Sequence, residues 1–501
     1  MLFNSYVFIF AFLPIAIIGY YLLGKLQNGA WAKAFLVGMS LWFYAYFKIE
    51  YLPIIVSSIC LNYLCSRKIQ ETIEQDKKKS LLVLGIVFNI ALIFVFKYLD
   101  FTISNLNALF RFNLPLQKIL MPLGISFFTF QQVGYLVDVY NEETGKHNFL
   151  EYSLFVTFFP QLIAGPIVSM EEMLPQIQDE NKRRFCSENF SEGIYFFVFG
   201  LAKKVLLADT LGKAVDLAFH NVNQLNGPEV VLIAITYTLQ LYFDFSGYCD
   251  MAFGIAKFFN MTLPINFNSP LKACSILEYW DKWHMTLGRF LEKYVFMPIA
   301  FSGVGMKVNK AQKKRGVKKP QLWTVISLLL TFLISGIWHG ANWTFILWGC
   351  MHGTVRAWYQ LHKKKWNKLP RFFRWGVNFT FVVLTMLLFR SDSISDFGHM
   401  IMQLGNGWSQ GIKLEILQCF DVVELTYLEE HIRILNDMSG ILSIVNTMIV
   451  LVLAAFIALK VRNLHEIQWK RTRSMAVVIA IVFGWCVVSL SNMATFLYFN
   501  F

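Results

Sequence analysis

Uninterrupted apolar runs recur along the whole chain, at 6–24, 81–96, 322–338, 440–459 and 475–493. Each is close to the ~20 residues with which a helix crosses the hydrocarbon core of a bilayer. Inside that core every backbone N–H and C=O must be bonded within the protein, so a chain with repeated runs of this length is restricted to packed helices. Composition agrees: 56% of the 501 residues are hydrophobic and 15% charged, against about 45–50% apolar and ~25% charged in soluble domains. The chain reads as an all-α, polytopic protein of the cell membrane, one integral domain over 1–501. About eleven transmembrane helices are expected, with re-entrant or interfacial helices besides. The first run has no basic stretch before it and further spans after it, so it reads as a retained helix and not a cleaved signal.

The formal charge is +13, from 45 Lys and Arg against 32 Asp and Glu. In a soluble chain this would raise nucleic-acid binding. Here the basic residues gather in short segments at 67–79, 307–319, 363–374 and 460–473, as cytoplasmic loops of membrane proteins do. The 391–439 segment is acidic and is placed outside. Alternation of passes then puts all four basic segments on one side. The segment FFPQLIAGPIV, at 158–168, is broken by Pro160, Gly165 and Pro166; at membrane depth such a segment must be buried in protein or line a cavity. Eight cysteines without C-x-x-C spacing read as buried thiols, with no metal site and no disulfide framework.

Two stretches carry chemistry that a bilayer does not require. ISGIWHGANWTFILWGCMHG, at 334–353, has two histidines and no Asp, Glu, Lys or Arg. An intramembrane histidine is either a packed, hydrogen-bonded residue or a functional one. Gly336 and Gly340 flank His339 at a spacing that lets backbones approach closely. On one continuous helix His352, 13 residues on, would sit roughly 220° around the axis and face away from His339. The second stretch runs from FDFSGYCDMAFGIAKFF at 243 through YWDKWHMTLGRFL. It reads either as a cytoplasmic amphipathic helix anchored by Trp280 and Trp283, or as the polar floor of a cavity. A proton-coupled transporter using Asp244, Asp250 and His339 as a relay is the rival reading from another class. Inverted repeats of broken helices would favour it, and the sequence shows none.

LQLYFDFSGYCDMAFGIAKFFNMTLPINFNSP, YWDKWHMTLGRFL and GIWHGANWTFILWGCMHG together resemble the membrane-bound O-acyltransferase family, in its bacterial polysaccharide branch. GISFFTFQQVGYLVDVY, FFPQLIAGPIV, LLFRSDS and the terminal FLYFNF extend the resemblance over nearly the whole chain, which is more similar to alginate O-acetylation proteins than to those of teichoic-acid D-alanylation. The chain departs from the pattern at 296–305 and at Asp281. The resemblance implies that His339 is the essential histidine and His284 a second one, near the cytoplasmic mouth of a tunnel. Asp244, Ser246, Asn268, Trp283, Trp338, Asn342 and His352 are the tunnel-lining candidates. It also implies acetyl transfer toward hydroxyls of an extracellular polysaccharide, with acetyl-CoA or another cytoplasmic acyl thioester as donor substrate and no bound cofactor; D-alanyl transfer to teichoic acid stays open. A neutral imidazole suits the removal of a hydroxyl proton at neutral pH. Asn436 stands where an H-x-x-x-x-D motif starting at His431 would need aspartate, and an exported serine acetyltransferase is the expected partner.

Overall fold

The computed structural model describes residues 1–315, 317, 321–468, 470–490 and 497. The end of the basic segment at 307–319, the end of the 475–493 run and, apart from Leu497, the terminal FLYFNF lie outside the described residues. Those described form helices and connecting loops, with no β-strand among them.

Among the described residues six helices are long and apolar enough to cross a membrane: Ile49–Glu71, Gln75–Phe110, Gly227–Phe258, Leu322–His339, Arg371–Arg390 and Ser439–Leu459. Phe8–Gly24 and Arg473–Ser489 are shorter apolar helices. Length and composition thus select fewer helices than the eleven expected, because several apolar stretches fold as shorter pieces, such as Ile125–Tyr140, Phe149–Thr157 and Phe159–Leu162. The surfaces are inverted relative to a water-soluble bundle. In Ser439–Leu459 the buried positions include Ser443, Thr447, Ala454 and Ala458, while Ile441, Ile444, Met448, Val452 and Phe456 face outward. Lipid makes outward aliphatics inexpensive, and small residues let helices approach.

Residues 1–198 and 248–265 form one compact unit. The broken 158–168 segment is almost wholly buried within it, as its prolines require. The Phe159 ring lies 5.2 Å from Phe12, 5.5 Å from Phe43 and 5.8 Å from Phe259, and Ser40 Oγ accepts the Phe159 N–H. Asn62 and Asn89 exchange side-chain hydrogen bonds of 3.2 and 2.6 Å between two lipid-flanked helices.

Residues 199–247 and 266–501 form the second unit. Its loop at 267–274 is pinned by side chains from later helices and loops: Asn463 donates to Phe267 O, Trp375 to Leu271 O, Asn378 to Ala273 O and Trp366 to Cys274 O. Trp280 and Trp283 are not surface anchors, as an amphipathic-helix reading would have them. Trp283 is buried and stacks on Tyr279, and Trp280 packs against a core of Phe345, Trp348, Leu388 and Phe389. In the acidic 391–439 segment Trp408 and Tyr427 are exposed but Phe420 is buried. This segment is docked on the start of the Gly227–Phe258 helix by the fully buried Glu229, which accepts the Lys413 and Asn226 amides. Among the described residues no disulfide joins the eight cysteines, and of these Cys249, Cys274 and Cys486 are buried. Cys350 is exposed on its helix, because an apolar neighbourhood in the sequence can mean contact with lipid as well as burial.

Candidate active site

The Leu322–His339 helix ends on its histidine. Gly340 is extended, at φ −168° and ψ 156°, and Asn342 starts the Trp343–Trp366 helix by accepting the Thr344 amide at 3.1 Å. Asn342 also donates to Asp392 O at 2.7 Å, so its place is at the hairpin turn. The two helices approach at glycine: a Cβ on Gly336 would lie 3.0 Å from Gly349 Cα. Gly340, outside the helix, faces the Phe345 ring instead, so the close approach expected of the Gly336 and Gly340 pair belongs to Gly336 and Gly349. Ser327, Thr331, Ser335 and His339 form a buried polar stripe along the first helix at four-residue spacing.

His339 is 4% exposed. Its ring lies 5.0 Å from Trp338, 5.1 Å from Trp348 and 5.2 Å from Phe389, each near edge-on. Because the chain breaks at 340–342, the rotation that would have turned His352 away from His339 does not apply. Both histidines meet Trp348, whose ring is 4.5 Å from His352. His352 is held at both nitrogens. Trp280 Nε1–H donates to its Nδ1 at 3.2 Å, and its Nε2 lies 3.0 Å from Thr385 Oγ1. An indole N–H can only donate, so Nδ1 is the acceptor and Nε2 carries the hydrogen. With both ring nitrogens engaged, His352 has no lone pair left to offer.

His284 has the opposite arrangement. Asn266 Oδ1 accepts from the Thr286 amide at 3.2 Å and the Thr286 hydroxyl at 2.9 Å, which identifies the atom as oxygen. His284 Nδ1, 3.1 Å away, must therefore be the donor. Nε2 is left with the ring's lone pair, as a proton acceptor needs. His284 is fully buried outside the spanning helices, and burial lowers its pKa from 6.5 to about 3, so it is neutral. Its backbone is left-handed at φ 46°. Phe245 lies 4.8 Å and Trp338 6.3 Å from its ring, so Trp338 has a ring contact with both histidines.

Of the other residues expected at the site, Trp283 joins this cluster through Phe267, at 5.1 Å. Ser246 is buried on the Gly227–Phe258 helix four residues after Tyr242, the spacing at which two side chains share a face. Asp244 is engaged elsewhere: Lys204 lies 2.6 Å from it and 2.7 Å from Asp209, and the Leu497 amide donates to it at 3.0 Å. Asn268 is half-buried and its backbone amide donates to Lys282 O at 2.9 Å. The asparagine that serves His284 is Asn266, which the sequence reading did not single out; nor did it find Lys204, Trp348 or Thr385. Asp250 lies in the other compact unit.

Residues 63–392 match the model of the MBOAT, membrane-bound O-acyltransferase family. The peptidoglycan O-acetyltransferase of Helicobacter pylori is 36% identical over 540 residues, covering 100% of this chain and 98% of that protein. The probable alginate O-acetylase AlgI of Pseudomonas aeruginosa is 34% identical over 404 residues, 79% of this chain and 73% of its own length. The teichoic acid D-alanyltransferase of Bacillus subtilis is 28% identical over 262 residues, 51% and 62% of the two chains. The apolar helices, the buried histidine hairpin and these similarities place the chain in the membrane-bound O-acyltransferase family, as a multi-pass acyltransferase of the cell membrane.

Proposed function

We propose that this chain moves an acetyl group from a cytoplasmic acyl thioester, acetyl-CoA or another, across the membrane toward hydroxyls of an extracellular polysaccharide, peptidoglycan in the first instance. The end-to-end similarity to a protein named peptidoglycan O-acetyltransferase carries the reading. D-alanyl transfer to teichoic acid has weaker support, since that similarity covers about half of the chain. His339 acts as general base. It takes the proton of the attacking hydroxyl as the oxygen bonds to the acyl carbon, and returns it to the thiolate as the C–S bond breaks. Its support is its place at a helix end among the rings of Trp338, Trp348 and Phe389. His284, with Asn266 fixing its tautomer, is the second acid-base group. Trp338, Trp283, Ser246, Asn342 and Asn268 are its surroundings on the path, and Asp244 holds the helix that carries Ser246. His352 supports the site by packing.

An exported serine acetyltransferase completes the transfer to polymer; this chain's own G-x-S-x-G, GWSQG at 407–411, lies in a loop with no strand leading into it and so does not make a nucleophile elbow. Exposed Trp408 and Tyr427 on the outer segment are the residues proposed to meet it. The test measures acetate released by mild alkali from purified peptidoglycan. Loss of the signal in a strain lacking this gene, its return with the wild-type gene and its absence with His339→Ala at normal membrane level are expected. Unchanged peptidoglycan acetate in the deletion strain refutes the acceptor, and full acetylation by His339→Ala refutes the base.

A further inference from the structure

The hydroxyls on the histidine helix do not all behave alike. Ser327 Oγ donates back to Trp323 O at 2.8 Å and Thr331 Oγ1 to Ser327 O at 2.7 Å, the usual recourse of a serine or threonine in an apolar helix. Ser335, next on the same stripe and 0% exposed, makes no such bond. Among the described residues no hydrogen-bond partner lies within reach of its Oγ. One helical turn further along that stripe is His339. Across the hairpin Trp348, 1% exposed and with its ring 5.1 Å from the His339 ring, likewise has no partner at Nε1 among the described residues. Thr344, four residues before Trp348 and so on the same helix face, has the same standing at Oγ1. Buried polar atoms are bonded in the great majority of cases. Three that are not, on the two helices flanking one imidazole, call for a ligand group. All three can donate a hydrogen and the indole can do nothing else, so the group they suit is an oxygen acceptor.

We propose that Ser335 Oγ–H and Trp348 Nε1–H bind the carbonyl oxygen of the acyl thioester beside His339 and stabilise the negative charge that develops there, with Thr344 at the edge of the same patch. This rests on the reading of His339 as the base. As the acceptor oxygen bonds to the carbonyl carbon, its proton passes to His339 and the C=O π electrons move onto oxygen, where the two donors meet them. Collapse restores the C=O bond and expels the thiolate, which takes the proton back from His339. Donors fixed in a water-excluded site need no reorganisation as that charge forms. The Gly336 and Gly349 contact holds the two helices that carry them in fixed register. The substrate feature recognised is the acyl carbonyl itself, so the donors act on any short acyl thioester and do not select the acceptor.

The test uses cells expressing the full chain with its native partners and reads the initial rate at which labelled acetate enters purified peptidoglycan. Ser335→Ala, Ser335→Cys, Trp348→Phe and His339→Ala are compared, with membrane level and unfolding midpoint measured for each. Ser335→Ala and Trp348→Phe are expected to lower the rate by roughly 10²-fold, the usual effect of losing one such donor, at unchanged membrane level. Ser335→Cys, with a weaker donor in nearly the same volume, is expected to fall between alanine and wild type. Rates within about twofold of wild type for both Ser335→Ala and Trp348→Phe, beside an inactive His339→Ala, overturn the donor assignment and leave the function standing. A wild-type rate from His339→Ala overturns the base and the donor set together. Should Trp348→Phe fail to accumulate, the Ser335 pair decides. A loss in Ser335→Ala that matches a fall in membrane level, with Ser335→Cys no better, also overturns the proposal.

Discussion

At the scale of single residues, the three buried histidines of the second unit differ in what their nitrogens are left to do. His339→Ala and His284→Ala are expected to lower polysaccharide acetylation by roughly 10²–10⁴-fold, the range for loss of a general acid-base group, with normal membrane levels. His352→Ala should act mainly on stability. It leaves the Trp280 N–H and the Thr385 hydroxyl without the imidazole, and an orphaned buried polar group costs about 1–3 kcal/mol. Midpoints and acetate release measured together separate the two outcomes, and an inverted order would exchange the catalytic and packing roles. His284 also carries a pH signature. Its folded pKa of about 3 lies below the ordinary 6.5, so its contribution to stability is complete above 6.5 and is lost as pH falls toward 3. The midpoint of the wild-type protein should therefore drop more steeply between those limits than that of His284→Gln; parallel curves would show that His284 does not titrate as its burial requires. The motifs that carry His339 and His284 stand out in the sequence, but the partners of the buried histidines' ring nitrogens do not. Asn266 lies 18 positions from His284 and Thr385 33 positions from His352, and no local period records such pairings.

Elements were more legible than contacts. The run read at 322–338 folds as Leu322–His339, and that read at 440–459 as Ser439–Leu459, because the lipid core sets both length and composition. Which face of a span turns inward was not legible: in an apolar helix the inward stripe is marked only by small and hydroxyl residues, a faint signal beside the surrounding leucines and isoleucines. Hence neither the Gly349 contact, nor the outward Cys350, nor the burial of Phe420 in the acidic 391–439 segment was legible. The hairpin gives a direct check on that seam. A Cβ on Gly349 would lie 3.1 Å from Gly336 Cα and would also meet the Phe332 carbonyl, where backbone cannot yield. Gly349→Leu should destabilise by several times the ~1–3 kcal/mol of ordinary overpacking, seen as lost membrane protein. Gly398→Ala, with open space around its Cβ, should be neutral or slightly stabilising. Equal accumulation of the two variants would mean that the hairpin does not close through its glycines.

For the whole molecule the decisive measurement is sidedness. With Cys419 replaced, Lys310→Cys is expected to be protected from an impermeant maleimide in intact cells, and Ser409→Cys in the acidic outer segment to be labelled. Labelling at 310 from outside would reverse the orientation and place the thioester donor on the wrong side. The division of the chain has a further consequence, for biosynthesis. The first compact unit takes residues 1–198 and then 248–265, while 199–247 belong to the second. Ring contacts that complete it, Phe3 with Tyr248 and Tyr20 with Phe259, therefore wait for residues made after the other unit has begun. A nascent chain halted near residue 198 has inserted its early helices without the partners that close their aromatic core. Quality control must tolerate that unfinished state through nearly seventy further residues of translation, the interval from 198 to 265.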